Sequence, residues 1–193
     1  MERVVLGIYG SPREGGNTDF LLDSALEGAR AAGGDVRSLH VRDLSMEGCR
    51  ECGGCYETGV CIIHDDMQSV YPMLEAADRI ILASPIFFYG VTAQAKKLID
   101  RAQALWCKRI ITKPQEARKF RESGKGYLIA AGATKGRKLF IGVELCAKYF
   151  YDALDMTYEG GLLLRGLEKA SDARNQDGLN EQAVRLGAGI ASG

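Results

Sequence analysis

Residues 10 to 18 read Gly10-Ser11-Pro12-Arg13-Glu14-Gly15-Gly16-Asn17-Thr18. An apolar run, Val4-Val5-Leu6-Gly7-Ile8, precedes them, and an amphipathic stretch from Asp19 to Ala32 follows. The pattern is strand, tight loop, helix. Gly10, Gly15 and Gly16 admit backbone angles closed to other residues and let the main chain come close to a ligand. Ser11, Asn17 and Thr18 offer hydroxyl or amide groups, and Arg13 offers a charged fork. Free N–H groups at the helix start face the same space with a partial positive charge behind them. Such a loop is suited to a phosphate. No Lys follows the glycines as in a Walker loop, and the spacing is not that of a dinucleotide fingerprint. A plain Gly-rich turn is the simpler alternative, but a turn does not need three glycines and four polar donors.

The chain of 193 residues suits one α/β domain, residues 1–193, with a cysteine-rich insert at about 47–63. Its hydrophobic fraction of 46% is enough for a core. Lys plus Arg and Asp plus Glu are 25 each. That balance argues against a nucleic-acid partner, which brings a basic excess. No apolar run is long enough to span a bilayer, and the start, Glu2-Arg3 and then a strand, does not resemble a signal peptide. The expectation is a cytoplasmic protein without a membrane partner. The six cysteines are then not expected to form structural disulfides.

Outward from the loop, the first strand is expected over Arg3–Tyr9 and the first helix over Thr18–Ala32, closed by Gly33-Gly34. Val36–Val41 reads as a polar edge strand. Asp65-Asp66 cap a helix reaching Ala76, and Arg79–Ser84 is the third strand. One long helix is expected over Thr92–Lys108. Lys113–Gly126 reads as an exposed connection, Tyr127–Ala131 as the fourth strand and Leu139–Asp155 as a helix. Met156–Leu164 holds the fifth strand and Leu179–Ala191 the last helix. Alternation of this kind predicts a parallel sheet covered on both faces. Ligands of such sheets sit beyond the strand carboxyl ends, where strand order reverses. The loops after strands one, three and four lie there, and all three have odd, Gly-rich composition.

The loop after strand three, Pro85-Ile86-Phe87-Phe88-Tyr89-Gly90, is apolar and aromatic. A flat ring lying there and a phosphate on the first loop describe FMN. The alternative is that Phe87 or Phe88 turns back into the core. Together with Leu98-Ile99-Asp100-Arg101, these two loops resemble the NADPH-dependent FMN reductase family of flavodoxin-like proteins, and within it the iron-sulfur flavoproteins. The resemblance runs from Val4 to about Arg165. It implies a flavodoxin-like three-layer sandwich with a five-stranded parallel sheet ordered 2-1-3-4-5. It further implies that Ser11, Arg13, Gly16, Asn17 and Thr18 hold the FMN phosphate. Pro85, Ile86, Phe87, Phe88, Tyr89 and Gly90 would surround the flavin, and Gly132, Ala133 and Thr134 would close the site. Such proteins are dimers or tetramers with FMN near a subunit boundary.

Cys49, Cys52, Cys55 and Cys61 have spacing C-x2-C-x2-C-x5-C. Three cysteines two residues apart can wrap one cluster, as in bacterial ferredoxins, although here the last gap is longer and no Pro follows. Structural zinc more often draws two separated pairs. On spacing alone a cluster, zinc and unligated or redox-active thiols stay open. The resemblance implies a [4Fe-4S] cluster. Cys107 and Cys146 read as buried fillers, Trp106 as a packing or interface residue, and His40 and His64 as isolated. Lys135, Arg137 and Lys138 read as a solvated loop, with a nicotinamide phosphate or an acidic carrier as the sharper alternative.

The resulting expectation is an FMN-dependent oxidoreductase carrying a [4Fe-4S] cluster. It would pass electrons from ferredoxin, NADPH or NADH to a small-molecule acceptor, as a homodimer or homotetramer. The flavin carries the chemistry, so no side chain is assigned as a catalytic residue. A cluster-free NAD(P)H-dependent FMN or quinone reductase is one alternative. A non-enzymatic flavin electron carrier or redox sensor is another, though such carriers tend to be acidic. Arg13→Ala is expected to lower the FMN retained through purification, read as flavin per protein; unchanged content would contradict the phosphate assignment.

Overall fold

The computed structural model describes residues 2–119 and 124–193. In chain order the elements are β1 (Val4–Tyr9), α1 (Asn17–Ala31), β2 (Asp35–His40), α2 (Met67–Ala76), β3 (Arg79–Pro85), α3 (Ala93–Arg101), α4 (Gln103–Thr112), β4 (Gly124–Gly132), α5 (Ile141–Ala153), β5 (Met156–Arg165), α6 (Asp172–Asn175) and α7 (Leu179–Ser192). Among the described residues the strands form one sheet in the order β2-β1-β3-β4-β5, every pairing parallel. This is the flavodoxin-like arrangement that the resemblance implied.

Side chains alternate across the strands, and both faces are buried. Leu6, Ile8, Ile80, Leu82 and Leu128 join a core with α2, α3, α4 and α5. Val5, Tyr9, Ile81, Ala83 and Ile129 join a second core with α1 and α7. The chain leaves β1 for one face and leaves β2 for the other, so β1 and β3 are the neighbours between which the order reverses. A crevice must open there, at the carboxyl ends.

The single helix expected over Thr92–Lys108 is two helices. The Tyr71 hydroxyl donates to the Arg101 carbonyl at 3.0 Å, and Leu105 N–H turns to the Ala102 carbonyl at 2.9 Å instead of continuing the four-residue ladder. A side chain inserted into the ladder is a recognised cause of a kink. The polar connection expected over Lys113–Gly126 contains a short 3-10 turn, Gln115–Lys119, and β4 begins two residues before its end; residues 120–123 of that connection lie outside the described residues. Helix α6 had no counterpart in the sequence reading. Among the described residues no helix is long and apolar enough to cross a membrane.

Helices α1 and α7 meet backbone to backbone. A Cβ at Gly28 would lie 2.1 Å from the Val184 carbonyl oxygen, and one at Gly187 would lie 1.7 Å from that of Ala25. No side chain can be accommodated without separating the helices. Gly187→Ala is therefore expected to destabilise the fold by about 1–3 kcal/mol in urea unfolding. Gly189→Ala, which faces open space on the same helix, is the matched control and should cause no loss.

Candidate functional site

Gly10 ends β1 and is locked between two loops. Its N–H donates to the Ala83 carbonyl at 2.7 Å, and its own carbonyl accepts from the Thr92 hydroxyl. A Cβ here would fall 2.8 Å from the Ala83 oxygen and 3.0 Å from Ala95 Cβ. Beyond it, the Ser11 hydroxyl accepts from Arg13 N–H at 3.1 Å and donates to the Arg13 carbonyl at 3.0 Å, closing a tight turn. Gly15 follows with φ +63°. Helix α1 opens on Gly16, which has no side chain to occupy the helix's free amides. The first amides of a helix have no acceptor inside it, so those of Asn17 and Thr18 are left for a ligand.

A cleft of about 250 Å³ opens at this point. Of the expected site residues, Ser11, Arg13, Gly16, Asn17, Thr18, Pro85, Ile86, Phe87, Gly132 and Ala133 line it. Phe88, Tyr89, Gly90 and Thr134 do not. Phe88 and Tyr89 instead form the tip of a turn closed by reciprocal 3.0 Å bonds between Phe87 and Gly90. Both have positive φ, 49° and 64°. That conformation disfavours bulky residues, and strain of this kind gathers at functional sites. Phe87, Phe88 and Tyr89 are all exposed, so neither Phe returns to the core.

The sequence reading missed the fourth wall, Leu167, Glu168 and Ala170, which follows β5. Leu167 N–H donates to the Gly132 carbonyl at 3.2 Å. Asn17 is committed to this wall: its side-chain amide donates to the Lys169 carbonyl at 2.8 Å, and its oxygen accepts from Ala173 N–H at 2.9 Å. Its side chain therefore builds the cleft. The available signal was position alone, because β5 ends at the same sheet edge. Also missed were Asp19 and Arg42. Asp19 accepts from Gly15 N–H at 3.1 Å and pairs with Arg42 at 2.9 Å, and Arg42 also donates to the Ser11 carbonyl at 3.3 Å. Burial raises the Asp19 carboxyl above its ordinary pKa, although Arg42 pulls the other way.

The cysteine insert follows β2 and packs against the α3–α4 junction. Cys49, Cys52, Cys55 and Cys61 line a separate cleft of about 380 Å³, against Asp100, Arg101, Gln103 and Ala104. Among the described residues the two clefts share no lining residue. Arg101, 1% exposed, draws the insert to the α3–α4 junction. Its guanidinium bonds both Asp65 oxygens, at 2.7 and 3.1 Å, and the carbonyls of Glu47 and Ile63 at 3.1 and 3.3 Å. Glu47 and Ile63 are the two ends of the insert, so one side chain closes its neck. Asp65 accepts from Glu47 N–H at 2.9 Å and Met67 N–H at 3.1 Å, and Asp66 accepts from Ser45 N–H at 2.6 Å. Burial works to raise the Asp65 carboxyl, but Arg101 and these amides outweigh it and hold the pKa below the ordinary carboxylate value.

Cys49 and Cys52 are exposed, and Cys55 and Cys61 half-buried. Among the described residues no three His, Cys, Asp or Glu side chains gather closely enough to hold a single metal ion. Four cysteines lining one cavity are, as a donor set, of the kind that holds a four-iron cluster. Cys107 is buried as expected, and its Sγ lies 3.7 Å from Cys55 Sγ. Burial and that contact push the Cys55 thiol up to about 11. Cys146 is half-buried in a groove with the partly exposed Trp106 and the exposed Leu145 and Tyr149.

A family model described as NADPH-dependent FMN reductase matches residues 4–138. An iron-sulfur flavoprotein of Archaeoglobus fulgidus is 41% identical over 96 residues, 50% of this chain and 44% of that protein. One from Methanosarcina thermophila is 37% identical over 101 residues, 52% of this chain and 53% of that protein. The chain thus spans about half the length of these curated relatives. Among solved structures, an NAD(P)H:quinone oxidoreductase from Methanothermobacter marburgensis superposes with a TM-score of 0.73 at 12% identity, covering 98% of this chain and 96% of that one; the likeness is one of fold.

Asp65→Asn is expected to leave a buried guanidinium unpaired, at a cost of about 3–5 kcal/mol, and to raise the alkylation rate of the half-buried Cys61. The pH dependence has a definite sign. A carboxylate with a depressed folded pKa stabilises fully above its unfolded value, about 3.9, and the stabilisation fades as pH falls through the lower folded pKa. The stability that Asp65→Asn removes, read by urea unfolding, should therefore be constant down to about pH 4 and shrink below it. An unfolding profile that Asp65→Asn does not change would contradict the neck's role.

Proposed function

The chain belongs to the NADPH-dependent FMN reductase family, and from that premise we propose that it is an FMN-dependent oxidoreductase carrying a [4Fe-4S] cluster. Its electron donor would be ferredoxin or a reduced nicotinamide, and its acceptor a small molecule. The observation that carries the flavin part is the cleft at the strand-order reversal, where ten residues expected for FMN face one another. The Arg13 charge and the amides that Gly16 leaves uncapped would hold the phosphate. The Pro85–Phe87 and Gly132–Ala133 segments would bracket the ring and exclude water from its faces. FMN supplies two-electron and one-electron chemistry when bound, and a cluster supplies one-electron steps. Cys49, Cys52, Cys55 and Cys61 would hold the cluster, on the support of their shared cleft. The groove bearing Trp106, Leu145 and Tyr149 supports assembly as a homodimer or homotetramer.

Purification without air, followed by a visible spectrum and iron and sulfide analysis, tests the reading. A brown protein with flavin bands, broad absorption beneath them and iron matched by sulfide is expected. A yellow protein without iron would contradict the cluster and leave the cluster-free reductase. A colourless protein that does not take up FMN would contradict both.

A further inference from the structure

Behind one cysteine of the insert stands a thiol that the cluster reading does not use. Cys107, on α4, lies with its Sγ 3.7 Å from Cys55 Sγ. Cys55 borders the open cleft and Cys107 does not. One helical turn before Cys107, the Gln103 side-chain amide donates to its sulfur at 3.5 Å. Backbone packing sets the contact from the insert's side. Gly59 N–H donates to the Cys55 carbonyl at 2.8 Å. A Cβ at Gly59 would meet Lys108 Cα and Cβ at 2.6 Å, so the insert presses directly on α4 beside Cys107. The sulfurs stand in contact at 3.7 Å, and a bond between them would draw them to about 2.0 Å.

We propose that Cys55 and Cys107 form a thiol–disulfide exchange pair, Cys55 attacking and Cys107 resolving, which closes when Cys55 is not bound to iron. The co-reactant is a small-molecule disulfide such as oxidised glutathione. Cys55 is the one of the two that meets the open cleft. Because its thiol is pushed up to about 11, the exchange quickens as pH rises. Its thiolate attacks one of the reagent's sulfurs, forms a mixed disulfide and releases one thiolate. The Cys107 thiolate then attacks the Cys55 sulfur, forms the intrachain bond and releases the second thiolate. The two protons given up by the cysteines end on the two released thiols. Two electrons leave the cysteine pair and reduce the reagent. One sulfur cannot serve iron and a disulfide together, so the closed pair and the cluster exclude each other. That last consequence rests on the cluster reading, whereas the pair itself rests on the thiol geometry.

The test uses the protein as purified without air, in two portions. One is kept as isolated and the other is stripped of iron with a chelator under reducing conditions. Both are treated with oxidised glutathione, alkylated and digested for mass mapping. In the stripped portion the peptide carrying Cys107 is expected joined to the one carrying Cys55. Cys107→Ser should leave Cys55 as the glutathione mixed disulfide, with iron and flavin content unchanged. Alkylated Cys107 together with Cys55 joined to Cys52 or Cys61 would overturn the proposal. So would a Cys107→Ser map identical to that of the unaltered protein. A Cys55–Cys107 link formed equally in both portions supports the pair and counts against Cys55 as an iron ligand, so the two readings fail separately.

Discussion

Gly10 joins the two loops on which the site depends. It hydrogen bonds through both backbone groups to the β3 side of the reversal, to the Ala83 carbonyl and the Thr92 hydroxyl. Thr92 is buried, caps α3 by accepting from Ala95 N–H, and donates its own N–H to the Ser84 hydroxyl. The phosphate-type loop, the aromatic turn and the start of α3 are thereby one unit. Parallel strands whose crossovers lie on opposite faces leave a crevice between β1 and β3. The Gly10 contacts give that crevice a fixed width, so the groups on its two walls are positioned before a ligand arrives. Preorganisation of this kind lowers the ordering cost of binding.

The cysteine insert follows a different design. It has no regular backbone of its own beyond turns, and side chains hold it in place. Arg101 grips both ends, Asp65 and Asp66 bind the chain entering it, and Gly59 seats it on α4. A buried ion pair contributes little net stability compared with an apolar substitute, but removing one partner is costly. The value of the Arg101–Asp65 pair is therefore geometric: it decides where four thiols are presented. The insert consequently lies against the α3–α4 junction.

Most of the fold was legible because β1, β3 and β4 carry continuous apolar runs and glycines fall at strand ends. Element limits such as Val4–Tyr9 and Leu179–Ser192 lie within a residue or two of those read from periodicity. The kink at Ala102 was not legible, since it depends on Tyr71, 30 residues away. The walls after β1, β3 and β4 could be read from their unusual composition. Leu167, Glu168 and Ala170 could not, because nothing in their types is unusual and only the sheet brings them to the cleft. Asn17 shows the limit of reading roles from residue type: a polar group in a phosphate-type loop proves to anchor a neighbouring wall. Cys107 is a similar case. An apolar helix position predicts burial correctly but says nothing about the thiol packed against it.

The central claim is that an anionic phosphate is held by the loop that leaves β1. Fluorescence titration of the flavin-free protein with FMN and with riboflavin tests it most directly, because the two differ only in that phosphate. Several charge-assisted hydrogen bonds to the loop predict that FMN binds tighter by more than about tenfold, and that the difference shrinks as salt is added. Equal affinities for the two flavins would contradict the account.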